Sequence, residues 1–384
     1  MRRLARDLRR LVAGTDRPVF REYATTAQLR GRRMRIERVE RLTRDAVALE
    51  LGDVTSAGAP FAFVPGQFVT LVVRLGGVEH RRAYSICSAP GERGTVRIGV
   101  KRVPGGMVST HLCEQTRVGD VFEVFGPSGA FTVHTDPARA RHVVLIGGGS
   151  GVTPLLSIAH AVLAAEPASR VSLVFANRSA ADIMFAAELA SLVESSCGRF
   201  VIRHVLESVA GESDARCGRL TRDVLAADLD MLALEGADVE YYVCGPEGMM
   251  DEVRSALEAR GVARERARFE RFTRAARRAG ASPTRTYPVI IRNGARELRA
   301  SAATTQTLLE AGLAAGAPMA FSCTMGGCGT CRVRIVSGQV EMDEPNCLLP
   351  DERATGHVLA CVARACSPIT IDLAISAKTP GGPR

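Results

Sequence analysis

Four cysteines restrict this chain more than any other feature. Three stand in the run Cys323-Thr324-Met325-Gly326-Gly327-Cys328-Gly329-Thr330-Cys331, and Cys361 follows after 29 further residues. The C-x4-C-x2-C…C spacing is that of a [2Fe–2S] site. It calls for a tight loop around a rhombic cluster, with three thiolates converging from one side and the fourth arriving from a later element. Gly326, Gly327 and Gly329 let backbone N–H groups approach the sulfides. Zinc is the alternative, but zinc sites usually pair C-x2–4-C knuckles, and a glycine-packed CxxxxC loop is unusual for them. Cys347 and Cys366 lie close in sequence but outside the spacing, and read as spare thiols.

The cluster occupies only the last part of a 384-residue chain, a length that predicts two or three domains. Hydrophobic residues make up 46% and charged residues 24%, which excludes a disordered or fibrous chain and a small disulfide scaffold. Residues 1–44 carry fourteen arginines against five acids, which accounts for the whole net charge of +9 and leaves the body neutral. A nucleic-acid binder needs a basic face on its folded domain, and no partner of that kind is expected. The N-terminus is charged throughout, unlike a secretory signal. The uncharged run 143–165 contains Gly147, Gly148, Gly149, Gly151 and Pro154, so a strand, a glycine turn and a helix explain it better than a membrane span. The expected location is cytoplasmic, with the eleven cysteines as ligands or free thiols.

From Met34 to about His134 the chain reads as short strands, among them 46–51, 67–75, 95–100 and 121–125, separated by turn residues. This pattern predicts a small antiparallel barrel. From about Arg141, strands at 143–146, 171–176 and 241–244 alternate with helical stretches at 180–193 and 247–260, which predicts a parallel sheet. Residues 274–285, rich in Arg and Ala, read as a linker. The last unit begins with a hairpin over 287–299 and a helix near 306–315.

Three further motifs carry chemistry. Arg82-Ala83-Tyr84-Ser85 lies on a predicted strand: an Arg can pair with phosphate, a Tyr can pack on a flavin ring, and a Ser hydroxyl can reach the flavin near N5. In Gly106-Met107-Val108-Ser109, backbone N–H groups at a helix start suit a pyrophosphate. The run Gly147-Gly148-Gly149-Ser150-Gly151-Val152-Thr153-Pro154 leaves a buried strand and opens a helix, again a phosphate geometry. It is not the dehydrogenase G-x-G-x-x-G fingerprint, which would need Gly where Val152 stands. Cys244-Gly245-Pro246 ends a later strand, and Glu270-Arg271-Phe272 ends the helical region.

These motifs, in this order, resemble the ferredoxin–NADP reductase superfamily. Residues 286–375 resemble a plant-type ferredoxin domain of the kind fused to the C-terminus of bacterial oxygenase reductases, such as those of phenylacetyl-CoA epoxidase, steroid hydroxylase and fatty-acid desaturase. The resemblance implies a basic segment 1–33, an antiparallel β-barrel FAD domain 34–138, an α/β parallel-sheet nicotinamide domain 139–273, the linker 274–285 and a β-grasp [2Fe–2S] domain 286–384. It implies catalytic roles for Tyr84, Ser85 and Cys244, and cofactor binding by Arg82, Gly106, Met107, Val108, Ser109, Gly148, Gly149, Gly151, Thr153, Gly245, Pro246 and Phe272. The cluster ligands would be Cys323, Cys328, Cys331 and Cys361. FMN is the alternative flavin, because phthalate dioxygenase-type reductases share the module order. His204-Val205-Leu206 is followed by Glu207-Ser208, where relatives often carry Ser-Arg. The second strand ends in Asn177-Arg178-Ser179 with no acid before Asp182, so Arg178 and Ser179 point to the 2′-phosphate of NADPH, with NADH the alternative.

The implied activity is a relay in which NAD(P)H reduces the flavin with two electrons and the cluster passes single electrons on to a terminal oxygenase, desaturase or hydroxylase. A flavin reductase or oxidase, and a non-enzymatic iron–sulfur redox sensor, are the rival classes. His111, His204 and His357 are expected to be structural. In residues 1–14, Leu4, Leu8, Leu11 and Val12 form an apolar stripe with the arginines mostly off it. Such a helix can lie on an anionic membrane surface, or pack on the barrel, or dock an acidic partner.

Overall fold

The computed structural model describes residues 31–54, 61–91, 94–209, 215–232, 238–272, 285–321, 323–343, 346–348 and 350–373. The N-terminal stripe therefore lies outside the described residues. The chain divides into two compact units, Met1–Phe272 and Thr273–Arg384. The flavin and nicotinamide modules lie together in the first of these units and share a core. Ala46, Ala48 and Cys87 of the barrel pack in one buried cluster with Leu145, Leu155, Ile158, Phe175 and Phe185 of the parallel-sheet region.

The first unit opens with the antiparallel barrel: β1 Arg32–Thr43, β2 Ala46–Asp53, β3 Phe68–Leu75, β4 Val78–Ser85, β5 Thr95–Lys101 and β6 Val121–Ser128, in the order β4-β3-β6-β1-β2-β5. An Ile86–Ile98 bridge joins the two ends. Alternation drives β1, where Met34 and Ile36 point inward between exposed Arg33, Arg35 and Glu37. The strand starts two residues before the expected boundary because Arg32 already pairs with Val124. One helix, α1 Met107–Glu114, sits between β5 and β6.

A parallel sheet follows, made of β7 Arg141–Gly148, β8 Arg170–Asn177, β9 Phe200–Leu206, β10 Arg216–Cys217, β11 Asp238–Cys244 and β12 Ala267–Glu270, ordered β10-β9-β8-β7-β11-β12. Its helices are α2 Val152–Ala165, α3 Ala186–Ser195, α4 Arg222–Leu232 and α5 Glu247–Ala259. All eight residues of β7 are buried, as a central parallel strand covered on both faces requires. The uncharged run 143–165 is thus strand, turn and helix, and among the described residues no helix is long and apolar enough to cross a membrane. The helix expected from Ala180 starts only at Ala186. Asp182 accepts a hydrogen bond from the Ser179 hydroxyl and closes a short turn, and Phe185 adopts φ 59°, which interrupts a right-handed helix. At the opposite end of the sheet, Arg141 is buried between Glu166 (2.7 Å) and Glu240 (2.8 Å).

The second unit pairs β13 Thr286–Asn293 with β14 Arg296–Ala303 as the expected hairpin, then sets α6 Leu308–Ala314 beside β15 Arg332–Ser337, β16 Val340–Met342, α7 Pro350–Ala354, β17 His357–Leu359, β18 Ala363–Ala365 and β19 Ile369–Asp372. The main sheet runs β14-β13-β19-β15-β17, with β13 parallel to β19 at its centre, a β-grasp arrangement. A capping box between Thr307 and Glu310 fixes the start of α6. Its buried face, Leu308, Leu309 and Ala311, packs on Val289, Ile291 and Ile371.

Candidate functional site

The strand order of the parallel sheet reverses between β7 and β11, and ligands of open α/β sheets bind at the carboxyl ends of the strands flanking such a point. Both ends carry a motif found in the sequence. Gly147-Gly148-Gly149-Ser150-Gly151 leaves β7 and opens α2, while Cys244-Gly245-Pro246 leaves β11 and opens α5. The two loops touch so closely that only glycine fits. A Cβ on Gly151 would stand 2.0 Å from the Cys244 carbonyl oxygen, and one on Gly148 would stand 2.7 Å from Pro246 Cδ. The Thr153 hydroxyl donates to the Ser150 carbonyl at 2.9 Å and fixes the turn. The α2 start offers few N–H groups of its own, because that of Val152 is bonded back to the Gly149 and Ser150 carbonyls and Pro154 has none, so an anion would be met mainly by the glycine turn. Thr153 Cγ2 would be 2.5 Å from a Cβ on Gly99 of the barrel, so the nicotinamide loop and the flavin barrel meet at backbone distance.

Cys244 is buried and lies opposite Glu270 in the β11–β12 register. Burial, reinforced by the Glu270 carboxyl, holds its thiol well above the ordinary cysteine range. Glu270 Oε2 is buried with no hydrogen-bond partner among the described residues. Burial pushes that carboxyl up to about 8, so it carries a proton at neutral pH. From Glu270-Arg271-Phe272 the sequence reading took Phe272, which packs on the shared core. The group that faces Cys244 is Glu270.

At the end of β8, Arg178 is half-exposed and its guanidinium already has two carboxylates. It pairs with Asp182 and, at 3.2 Å, with Asp45 from the β1–β2 turn. Despite partial burial, the Thr43 hydroxyl, Lys101 and Arg178 hold the Asp45 carboxyl below its ordinary value. Lys101 Nζ is 4.0 Å from Asp45 and 3.8 Å from the Cβ position of Gly149. Sequence reading missed Lys101 and Asp45. The only signal for Lys101 was rarity, because the chain has two lysines in all.

On the barrel, β4 carries Arg82 and Tyr84 on one face, with Arg82 exposed, Tyr84 half-buried and Ser85 buried next along the strand. Burial raises the Tyr84 hydroxyl above its ordinary value, so it stays neutral and the ring can act as an apolar surface. Gly106 caps α1 without a side-chain bond. The Ser109 hydroxyl accepts from the Val103 N–H at 3.0 Å and donates to the Gly106 carbonyl at 3.2 Å. It therefore shapes the loop, and the first-turn N–H groups of Met107 and Val108 are the ones available to a phosphate. Exposed Arg82 and this helix start fit the anionic end of a flavin nucleotide, and Tyr84 and Ser85 fit its ring.

In the second unit the four motif cysteines form two pairs. The thiols of Cys323 and Cys328 act most strongly on each other, and Cys331 acts most strongly on Cys361. Two pairs match two irons with two thiolates each better than a single tetrahedral zinc. Among the described residues, no three His, Cys, Asp or Glu side chains surround one metal-ion position. Gly326 and Gly329 have φ of +77° and +71°, the left-handed conformation that turns the loop around the centre. Cys366 is exposed, whereas Cys347 is partly buried beside the cluster loop. Its Sγ lies 3.7 Å from the Cβ position of Gly329, between two of the four ligands.

Residues 33–133 match the family described as Oxidoreductase FAD-binding domain, residues 145–255 the Oxidoreductase NAD-binding domain, and residues 291–366 the 2Fe-2S iron-sulfur cluster binding domain. The chain is 32% identical over 352 residues to one of the subunits of 1,2-phenylacetyl-CoA epoxidase from Escherichia coli strain K12, covering 90% of this chain and 97% of that protein. It is 35% identical over 335 residues to the ferredoxin reductase component of 3-ketosteroid-9-alpha-monooxygenase from Rhodococcus rhodochrous, covering 82% and 88%. The crystal structure of phthalate dioxygenase reductase superposes with a TM-score of 0.59 at 26% identity, over 89% of this chain and 97% of that one. On its fold, its motifs and these likenesses, the chain belongs to the oxygenase-type reductases of the ferredoxin–NADP reductase superfamily, which join an FAD domain and a nicotinamide domain to a plant-type [2Fe–2S] domain.

Proposed function

We propose that this chain draws electrons from NADPH and delivers them singly to a terminal oxygenase, desaturase or hydroxylase. When bound, FAD takes up the electron pair of the nicotinamide and the [2Fe–2S] centre hands electrons on one at a time. The observation that carries the reading is the meeting of the Gly148–Gly151 turn with Cys244-Gly245-Pro246, beside the barrel that bears Arg82, Tyr84 and Ser85. In this reading the glycine turn before α2 holds the dinucleotide phosphates, with Lys101 as counter-charge. Cys244 gives the nicotinamide ring an apolar, water-excluding wall, and Glu270 Oε2 keeps its proton beside that wall. Arg82 and the N–H groups of Met107 and Val108 hold the flavin phosphates, while Tyr84 and Ser85 set the ring. Cys323 and Cys328 would hold one iron, Cys331 and Cys361 the other.

The preference for NADPH rests on Arg178 and Ser179 at the end of β8, and a bound 2′-phosphate would compete there with Asp45 and Asp182 for the guanidinium. The Arg-rich segment 1–33 would bring the chain to an anionic membrane surface beside a membrane-bound acceptor. Flotation with anionic vesicles at low salt, lost in a chain starting at Met34, would support that role, and failure of both to float would end it.

Anaerobic stopped-flow mixing with NADPH tests the relay. Flavin absorbance should fall first and cluster absorbance after it. Flavin bleaching with a cluster that stays oxidised would favour a flavin reductase or oxidase, and no bleaching of either a redox sensor.

A further inference from the structure

Asp45 belongs to the flavin barrel, yet its carboxylate reaches the end of β8 in the parallel sheet. It fills the turn between β1 and β2, where its N–H donates to the Thr43 hydroxyl at 3.3 Å and that hydroxyl donates to Asp45 Oδ1 at 2.8 Å. The Asp45 carbonyl accepts from the Arg102 N–H at 2.7 Å. Oδ2 is left to face Arg178 Nη2 at 3.2 Å. On the far side, the Arg178 carbonyl accepts from the N–H and the hydroxyl of Ser208, at 2.9 and 3.1 Å. Both backbones are tied down, so neither can retreat from the other.

The guanidinium is shared. Nη2 has two hydrogens, and they serve Asp45 Oδ2 and Asp182 Oδ1. The two carboxylates differ in what else they do. Asp182 accepts from the Ser179 hydroxyl at 2.8 Å and so shapes the turn after β8. Asp45 takes no part in that turn, and its ion pairs among the described residues are with Arg178 and, at 4.0 Å, with Lys101. Despite partial burial, the Thr43 hydroxyl, Lys101 and Arg178 hold its carboxyl below the ordinary value, so it is an anion at neutral pH. Its side chain is 13% exposed against 51% for Arg178. An incoming phosphate can therefore reach the arginine, while the carboxylate has little room to swing into water.

We propose that Asp45 is a specificity-determining residue, whose fixed carboxylate opposes a 2′-phosphate at Arg178 and holds the preference for NADPH below what the arginine alone would give. This rests on the assignment of the 2′-phosphate to Arg178. A phosphomonoester brings roughly two negative charges to a guanidinium that already faces an anion at 3.2 Å. Like charges brought this close disfavour each other, whereas the 2′-hydroxyl of NADH brings none. Lys101 acts differently. Its Nζ is 3.8 Å from the Cβ position of Gly149, in the turn assigned to the phosphates that both dinucleotides share. Any change felt through Lys101 moves both cofactors alike and cancels in their ratio.

The test is the ratio of kcat/KM for NADPH to that for NADH, with ferricyanide as electron acceptor and the flavin-loaded full-length protein. It is measured in the parent, Asp45→Asn, Arg178→Ala and the double variant. Asn keeps the Oδ1 that Thr43 bonds and loses the charge. If Asp45→Asn does not retain flavin, Asp45→Ser takes its place in the cycle. The ratio should rise about three- to tenfold on loss of the charge, through a lower KM for NADPH. In the Arg178→Ala background the same substitution should leave the ratio unchanged. An unchanged or lower ratio in the single variant, or a rise that persists without the arginine, would overturn the proposal. If Arg178→Ala by itself leaves the ratio untouched, the 2′-phosphate assignment has failed and the role of Asp45 falls with it.

Discussion

Glu270 links the stability of the first unit to pH with a sign that can be worked out. Its carboxyl titrates at about 8 in the fold against 4.5 in the free side chain, because it is buried. Below the lower value both states hold the proton. Between the two, the folded chain keeps a proton that the unfolded chain has released, so stability falls as pH rises, and the loss is complete above about 8. At about 1.36 kcal/mol per pH unit, the whole effect is on the order of 5 kcal/mol. Glu270→Gln has nearly the same shape and no proton to lose. The variant and the parent protein should melt together near about pH 5, and the variant should gain steadily towards about pH 9. With about 2–4 °C per kcal/mol for a unit of this size, the final gap should be on the order of 10 °C or more. Melting is followed by the rise in flavin fluorescence as FAD leaves the barrel, at constant ionic strength and without nicotinamide. A gap that stays constant across this range, or one that favours the parent at high pH, would refute the argument.

Three other perturbations have definite expected outcomes. Arg178→Ala should raise the KM for NADPH about ten- to a hundredfold, the loss of a charged hydrogen bond of about 1.5–3 kcal/mol, while barely changing that for NADH; equal losses with both would remove the 2′-phosphate assignment. Gly151→Ala should weaken nicotinamide binding and cost about 1–3 kcal/mol of stability, since its methyl would press on the Cys244 carbonyl, whereas a neutral result by calorimetry and titration would mean that the two loops yield freely. Cys361→Ser should abolish most cluster absorbance with the flavin spectrum intact, because the two cofactors belong to separate compact units, and parallel loss of flavin would contradict that independence.

Much of the fold was legible because its signals are local. Turn residues between short runs marked the barrel strands, the apolar run of β7 with its glycines marked the nucleotide turn, and cysteine spacing marked the cluster loop. What stayed hidden depends on residues far apart. Arg178 meets Asp45 across 133 positions, and no window of sequence contains both. Arg141 marks the start of β7 in the sequence, but its buried pairing with Glu166 and Glu240 joins residues 25 and 99 positions away. Glu270 was visible as half of a motif, but the enclosure of its Oε2 comes from tertiary packing around β12, a strand whose residues are otherwise only partly buried. The late start of α3 was missed because helix-forming alanines at 180 and 181 outweighed the turn that Ser179 and Asp182 make together.

The two thiol pairs of the second unit span very different lengths of chain. Cys323 and Cys328 are neighbours on one loop, but Cys331 and Cys361 enclose β15, β16, α7 and β17 between them. An iron bound to both therefore fastens a loop of about 30 residues, and such closure is worth about 4 kcal/mol in the chain-entropy account, against about 2 for the short loop. Electron carriage and the mechanical integrity of this unit thus share one iron. When oxidants strip the centre, the chain does not merely fall silent as a carrier. It also loses the longest loop closure of the second unit, which would leave the segment between Cys331 and Cys361 more open to proteolysis.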